Sequence, residues 1–174
     1  MYSGKSEELL RRLRRAEIAG NRVAVIKPAI DDRYDKDHVI SHAGTKMKAF
    51  VVDDRPGELR THAVGYSVIG IDEGQFFTYD GFIEDVRNLA ISKVVIVSGL
   101  DMTFALEPFG IIPELLAVAE RIDKLSAVCH QCGEDANLTQ RLIDGKPAPF
   151  GGPVIQVGGL ESYEARCSHC FRKG

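Results

Sequence analysis

Three groups of residues in this 174-residue chain have types and spacings suited to chemistry. Cys129-x-x-Cys132 and Cys167-x-x-Cys170 offer four thiolates, the ligand set of a tetrahedral Zn²⁺. Full thiolate ligation leaves no open position, so the metal is expected to be structural and not catalytic. The 34 residues between the pairs exceed the usual ribbon insert of about 15–20, so the insert is expected to loop out as its own segment. His130 and His169 sit inside the knuckles and read as neighbours of the metal, since four sulfurs complete the shell. Val68-Ile69-Gly70-Ile71-Asp72-Glu73 is an apolar run ending in two acids. A strand there would hold Asp72 in a Mg²⁺ shell and leave Glu73 to take a proton from an attacking hydroxyl. An acidic strand end at an ordinary turn is the plainer alternative.

The third group opens the chain. Met1-Tyr2-Ser3-Gly4-Lys5-Ser6 ends in Gly-Lys-Ser ahead of a helical pattern, the second half of a phosphate-binding loop. Backbone N–H groups would cradle phosphates, Lys5 would reach the β- and γ-phosphates, and the Ser6 hydroxyl would meet Mg²⁺. A flexible N-terminus with Ser3 or Ser6 capping a helix accounts for the same residues. The motif's first glycine would fall two residues before Met1, and its feeding strand does not precede it. The expectation is therefore that the natural start lies upstream and that Met1 is an internal methionine.

These groups need a scaffold. Gly4 to Ala19 reads as a helix with Leu9, Leu10, Leu13 and Ala16 on one stripe, stopped by Gly20 and Asn21. Arg22 to Lys27 holds a short buried strand ended by Pro28, and Asp31 to Thr45 reads as a polar loop. Ala49 to Val52 suggests a strand, and Gly57 to Ala63 a short helix. Tyr66 to Asp72 is a further apolar run, followed by a helical pattern over Asp80 to Ile91. Lys93 to Ser98 reads as a strand of the fully buried kind, and Pro113 to Ile122 as a helix. The alternation argues for an α/β fold: a mostly parallel sheet with helices on both faces. After Leu125 the composition shifts to Cys, Gly and Pro, which divides the chain into 1–125 and a small metal-tied lobe, 126–174. Phe76, Phe77 and Phe104 read as core by default, although Phe104 follows the polar Asp101-Met102-Thr103 like a residue facing a ligand. Arg11, Arg12, Arg14 and Arg15 read as a solvated helix face.

The totals exclude several classes. A net charge of −3 gives no general grip on nucleic acid. No apolar run approaches the ~18 residues of a membrane span, and no signal peptide is visible, so a cytoplasmic protein is expected. Two C-x-x-C pairs suit a metal site in a reducing compartment better than a disulfide framework.

Taken together the motifs resemble the type II, cellular cytosolic-type, thymidine kinase family over nearly the whole chain. Met1 to Ser6 looks like the end of the family's G-P-M-[FY]-S-G-K-[ST] loop. Ile26-Lys27-Pro28 with Asp31-Asp32-Arg33-Tyr34 resembles the K-P-x-x-D-x-R-Y segment beside the nucleotide. Ile71-Asp72-Glu73-Gly74-Gln75-Phe76-Phe77 resembles the diagnostic I-D-E-[GAV]-Q-F-F block. Gly99-Leu100-Asp101-Met102-Thr103-Phe104 with Pro108-Phe109-Gly110 resembles G-L-D-x-[TD]-F…P-F. Val157 to Tyr163 resembles the substrate lasso, preceded here by the Pro/Gly-rich stretch Gly145 to Pro153.

The resemblance implies a P-loop, RecA-like fold lacking its first strand, with a zinc ribbon and a lasso that closes over the nucleoside. It implies phosphoryl transfer from ATP with Mg²⁺ to thymidine, and to deoxyuridine, with Glu73 as general base. ATP and Mg²⁺ would fall to Met1, Tyr2, Ser3, Gly4, Lys5, Ser6, Asp31, Asp32, Arg33, Asp72, Gly74 and Gln75. The nucleoside would meet Leu100, Phe104, Val154, Ile155, Gln156, Val157, Gly158 and Tyr163. A homotetramer with thymidine triphosphate feedback is also implied, and a chain starting inside the phosphate loop puts its own competence in question. Two competing readings are a zinc-ribbon P-loop ATPase acting on nucleic acid and a non-enzymatic zinc-stabilised scaffold. Arg141, Lys146 and Arg166 against Glu134, Asp135, Asp144, Glu161 and Glu164 in the insert disfavour nucleic acid.

Overall fold

A computed structural model describes residues 1–30, 37–40, 44–155 and 162–174. Helix α1 spans Lys5–Ile18 and is followed by strand β1, Val23–Pro28. A short antiparallel pair, β2 (His38–Ile40) and β3 (Lys46–Lys48), precedes β4, Phe50–Val52. Helix α2 (Glu58–His62) leads to β5, Val68–Ile71, and α3 (Phe82–Ala90) leads to β6, Val94–Val97. Helix α4 spans Ile112–Val118. β4, β1, β5 and β6 form one parallel sheet in that order.

Alternation along the strands explains why helices cover both faces. Val23, Val25 and Val68 face α1, where they meet Leu9, Leu10 and Leu13. Ala24, Ile26, Ile69 and Ile71 face the other way, onto Leu59 of α2, Phe82, Val86 and Leu89 of α3, and Leu115 of α4. A period of two on each strand thus sorts its side chains into two cores. Gly70 is the point of closest approach: a Cβ there would stand 2.5 Å from Leu13 Cδ1.

Three expectations need correction. The stretch read as loop contains β2, and its partner β3 begins just past its end; both are three-residue strands too short to show a period. β6 is not fully buried: it is the sheet's edge strand among the described residues, and Val94 is 57% exposed. Helix α4 stops at Val118, and Ala119 adopts extended backbone. The chain then runs out to the C-terminal lobe, with Asp123 held by Arg12 of α1 and Lys124 by Asp101, both at 2.8 Å.

The C-terminal lobe is built from small antiparallel strands. β7 (Ala127–Val128) pairs with β8 (Asp135–Ala136). β9 (Leu138–Ile143) is flanked by β10 (Lys146–Pro147) and β11 (Tyr163–Arg166). The long insert between the cysteine pairs therefore contributes a sheet of its own. Among the described residues no helix is long and apolar enough to cross a membrane.

Candidate functional site

The acids at the end of β5 lie where the parallel strands of a crossover sheet deliver their carboxyl ends. The Asp72 N–H donates to Ile26 O of β1 at 2.9 Å, which roots the residue in the sheet. Ser98 Oγ, just past β6, donates to Asp72 Oδ1 at 2.6 Å. Ser6 Oγ, in the first turn of α1, donates to Oδ2 at 3.0 Å. Two separate elements thus converge on the carboxylate of a residue that is 4% exposed and rooted in a third. Burial raises the Asp72 pKa, and the charge of Glu73 adds to this; the hydroxyls of Ser98 and Ser6 and the charge of Lys5 oppose it. A carboxylate stripped of water beside a hydroxyl is a hard-oxygen donor set suited to a divalent cation.

Glu73 follows with a left-handed backbone, φ 51°, which turns the chain into a 3-10 turn over Gly74–Phe76. The Gly74 N–H donates to Ser98 O at 2.8 Å. Gln75 is buried, and its side-chain amide N–H donates to the Glu73 carboxylate. Its Oε1 accepts the Leu100 N–H at 3.0 Å. Gln75, grouped with the nucleotide residues from sequence, is thus placed between Glu73 and the loop that carries Leu100 and Phe104. Two glycines make room for it. A Cβ on Gly99 would sit 3.0 Å from Gln75 Oε1, and one on Gly110 would sit 2.7 Å from the Gln75 carbonyl oxygen.

The opening residues bridge the two parts of the molecule. Gly4, at φ 75°, caps α1 and accepts the Glu8 N–H at 2.9 Å. The Met1 nitrogen lies 2.8 Å from Thr139 Oγ1 of β9. Tyr2, at φ 61°, packs against the cluster of Ala127, Cys129, Ala136, Ala165 and Cys167. Met1, Ser3 and Lys5 line a cleft of about 660 Å³ together with Ser98, Leu100 and Asp101. Asp31, Asp32 and Arg33 lie outside the described residues.

A second constellation surrounds Phe104. Its ring is buried, and the Arg141 guanidinium lies 3.8 Å from the ring centroid. Arg141 Nη2 donates to Tyr163 Oη at 2.8 Å and to Val154 O at 2.7 Å; Nη1 donates to Pro153 O at 2.6 Å. Phe104, Val154 and Tyr163 are thereby joined, and Leu100 joins Glu73 through Gln75. Val154 and Ile155 are exposed, and Gln156, Val157 and Gly158 lie outside the described residues. Sequence reasoning missed Arg141, counting it only in a charge balance. Strand alternation from Thr139 to Arg141 is the one signal that puts both on the same face of β9.

The four cysteines converge. Their Sγ atoms lie within 4.8 Å of one another, and none is in a disulfide. Sulfurs ~2.3 Å from a tetrahedral metal stand about 3.8 Å apart, so the cluster fits one ion. Tight turns shape it: the Gly133 N–H donates to Cys129 O at 2.9 Å, and the Cys170 N–H to Cys167 O at 3.1 Å. His130 is exposed and 3.6 Å from the Glu164 carboxylate, and His169 is exposed. Compared with known protein families, residues 1–171 match the sequence model of the family described as thymidine kinase.

Proposed function

The chain belongs to the thymidine kinase family, and from that premise we propose that it transfers the γ-phosphate of ATP to the 5′-hydroxyl of thymidine, and of deoxyuridine. The carrying observation is the convergence of Ser6 and Ser98 on the buried Asp72, with Glu73 next in the chain. Phosphates would lie on the N–H groups at the start of α1, with Lys5 beside the β- and γ-phosphates. Asp72 and Ser6 would hold Mg²⁺, which supplies charge neutralisation on the phosphates when bound. Glu73 accepts the proton of the 5′-hydroxyl as that oxygen forms its bond to the γ-phosphorus. The bond from the γ-phosphorus to the β,γ-bridging oxygen breaks, leaving ADP and thymidine monophosphate.

Phe104 and Tyr163 would wall the nucleoside pocket, and the lasso would exclude water that competes for the γ-phosphate. Cys129, Cys132, Cys167 and Cys170 would hold a structural Zn²⁺ that pins both ends of the insert. Residues 1–125 would then bind the nucleotide and 126–174 would carry the lasso. The family assignment further supports a homotetramer under thymidine triphosphate feedback, checked by light scattering with and without that nucleotide.

The deciding experiment gives the purified protein ATP, Mg²⁺ and radiolabelled nucleosides. Phosphorylation of thymidine and deoxyuridine, with purine nucleosides untouched, is expected. ATP hydrolysis stimulated by DNA with no nucleoside product would overturn this reading.

A further inference from the structure

We propose that Arg141 is the positioning residue of the nucleoside pocket, locking the lasso's stem onto the ring that walls the pocket; this rests on the kinase reading above. Arg141 is 3% exposed, and among the described residues no carboxylate reaches it. Burying a cation is costly, so a guanidinium in this place needs compensation. The compensation is specific. Nη1 and Nη2 each donate to one of two successive backbone carbonyls, Pro153 and Val154. Nε and Nη2 both donate to the Tyr163 hydroxyl, at 3.2 and 2.8 Å. The face of the guanidinium rests on the Phe104 ring.

One side chain of the ribbon therefore ties three parts together: the loop after β6, the stem leading to the lasso, and the strand that follows it. Only a planar fork with several fixed donors can do this. A lysine ammonium is a point charge and cannot bridge two carbonyls and a phenol while stacking on a ring. Backbone carbonyls of the stem lose their freedom to turn, so the pocket wall is set before nucleoside arrives, and binding costs less ordering. Arg141 makes no contact with the acids at the end of β5, so its effect should fall on nucleoside binding and spare the chemical step.

The test compares Arg141→Lys and Arg141→Met with the parent. The expected result is a thymidine KM at least ~10-fold higher, with kcat and the KM for ATP within about twofold. A purely structural role would move all three parameters together with the melting temperature, and that outcome would overturn the proposal. So would an unchanged thymidine KM in either folded variant. A double-mutant cycle with Tyr163→Phe adds a second measure: the double variant should be no worse than Arg141→Lys alone, whereas additive penalties would count against the shared link. If neither Arg141 variant folds, Tyr163→Phe decides by the same split between thymidine and ATP. A parent inactive on every nucleoside would defeat the kinase reading itself, whereas an active parent with indifferent Arg141 variants would defeat only this inference.

Discussion

Asp72 and Glu73 are neighbours in sequence and differ in environment. Asp72 is sealed under two hydroxyls, whereas Glu73 is half-buried on a left-handed backbone with the Gln75 amide against its carboxylate. On the proposed reading, this separation would let one acid face a cation while the other stays within reach of a proton donor. Replacing Glu73 with Gln should lower kcat by about 10²–10⁴-fold, the usual worth of a general base, and leave thymidine affinity largely intact; a variant turning over at the parent rate would dismiss the assignment. Asp72 leads to a different expectation. Its ionised form is penalised by burial before any partner binds. Asp72→Asn keeps an acceptor for one hydroxyl and a donor for the other with no ion to desolvate. In Mg²⁺-free buffer it should melt higher than the parent while losing turnover, and a lower melting temperature would contradict the cost assigned to that buried charge. The acids were legible as an apolar run ending in Asp-Glu. Gln75's contact with Leu100 and the role of Arg141 were not, because the partners lie 25 residues from Gln75 and 22 from Arg141, where no local pattern announces them.

At the scale of elements, periodicity found α1, β1 and β5 because their apolar spacing repeats over enough residues to be heard. It misjudged β6, since four successive β-branched residues read the same at a sheet's centre and at its edge. It overran α4, whose end is set by where the chain must next go. The turn after β5 depends on a close packing that can be tested. Gly110 combines φ 52° with a would-be Cβ 2.7 Å from the Gln75 carbonyl oxygen, a backbone atom with little room to yield. Gly110→Ala should cost about 1–3 kcal/mol of stability, read by denaturant titration, and depress kcat by displacing Gln75 and with it Glu73. Helix α1 supplies a pH prediction. Hydrogen bonds from Arg11 and then Arg12 lower the Glu8 pKa to about 2. A depressed carboxylate stabilises the fold above its unfolded pKa of about 4.5, and that contribution drains away as pH falls toward 2. The gap in melting temperature between parent and Glu8→Gln should therefore be present at pH 7, shrink below pH 4, and shrink with added salt because the cluster is partly exposed. A gap that grew on acidification would reverse the sign and reject the account.

Across the whole molecule, the cysteine quartet announced a metal lobe from spacing alone, but spacing could not say what the lobe leans on. In the folded chain it leans on the residues just ahead of α1. Tyr2 packs among Ala127, Cys129 and Cys167, three residues from the Lys5 that would meet ATP. Through Arg141 and Tyr163 the same lobe reaches Phe104, which would wall the nucleoside pocket on the proposed reading. The metal would therefore support both halves of the substrate pair. Without it, nothing would hold the four sulfurs together, three of them buried or half-buried and Cys132 exposed; the turns at Cys129–Gly133 and Cys167–Cys170 should open, and Tyr2 should lose the surface it rests on. Treating the protein with a strong chelator, or replacing Cys129 with Ser, should lower the melting temperature and raise the KM for thymidine about tenfold or more, since ~1 Å of misplacement costs of the order of 10²-fold. The distinctive expectation is that the KM for ATP rises as well, and that restoring Zn²⁺ to the chelated protein recovers both. If thymidine affinity alone suffered, the lobe would be a clamp for the nucleoside only, and the contact between Tyr2 and the cysteine cluster would carry no load for the nucleotide.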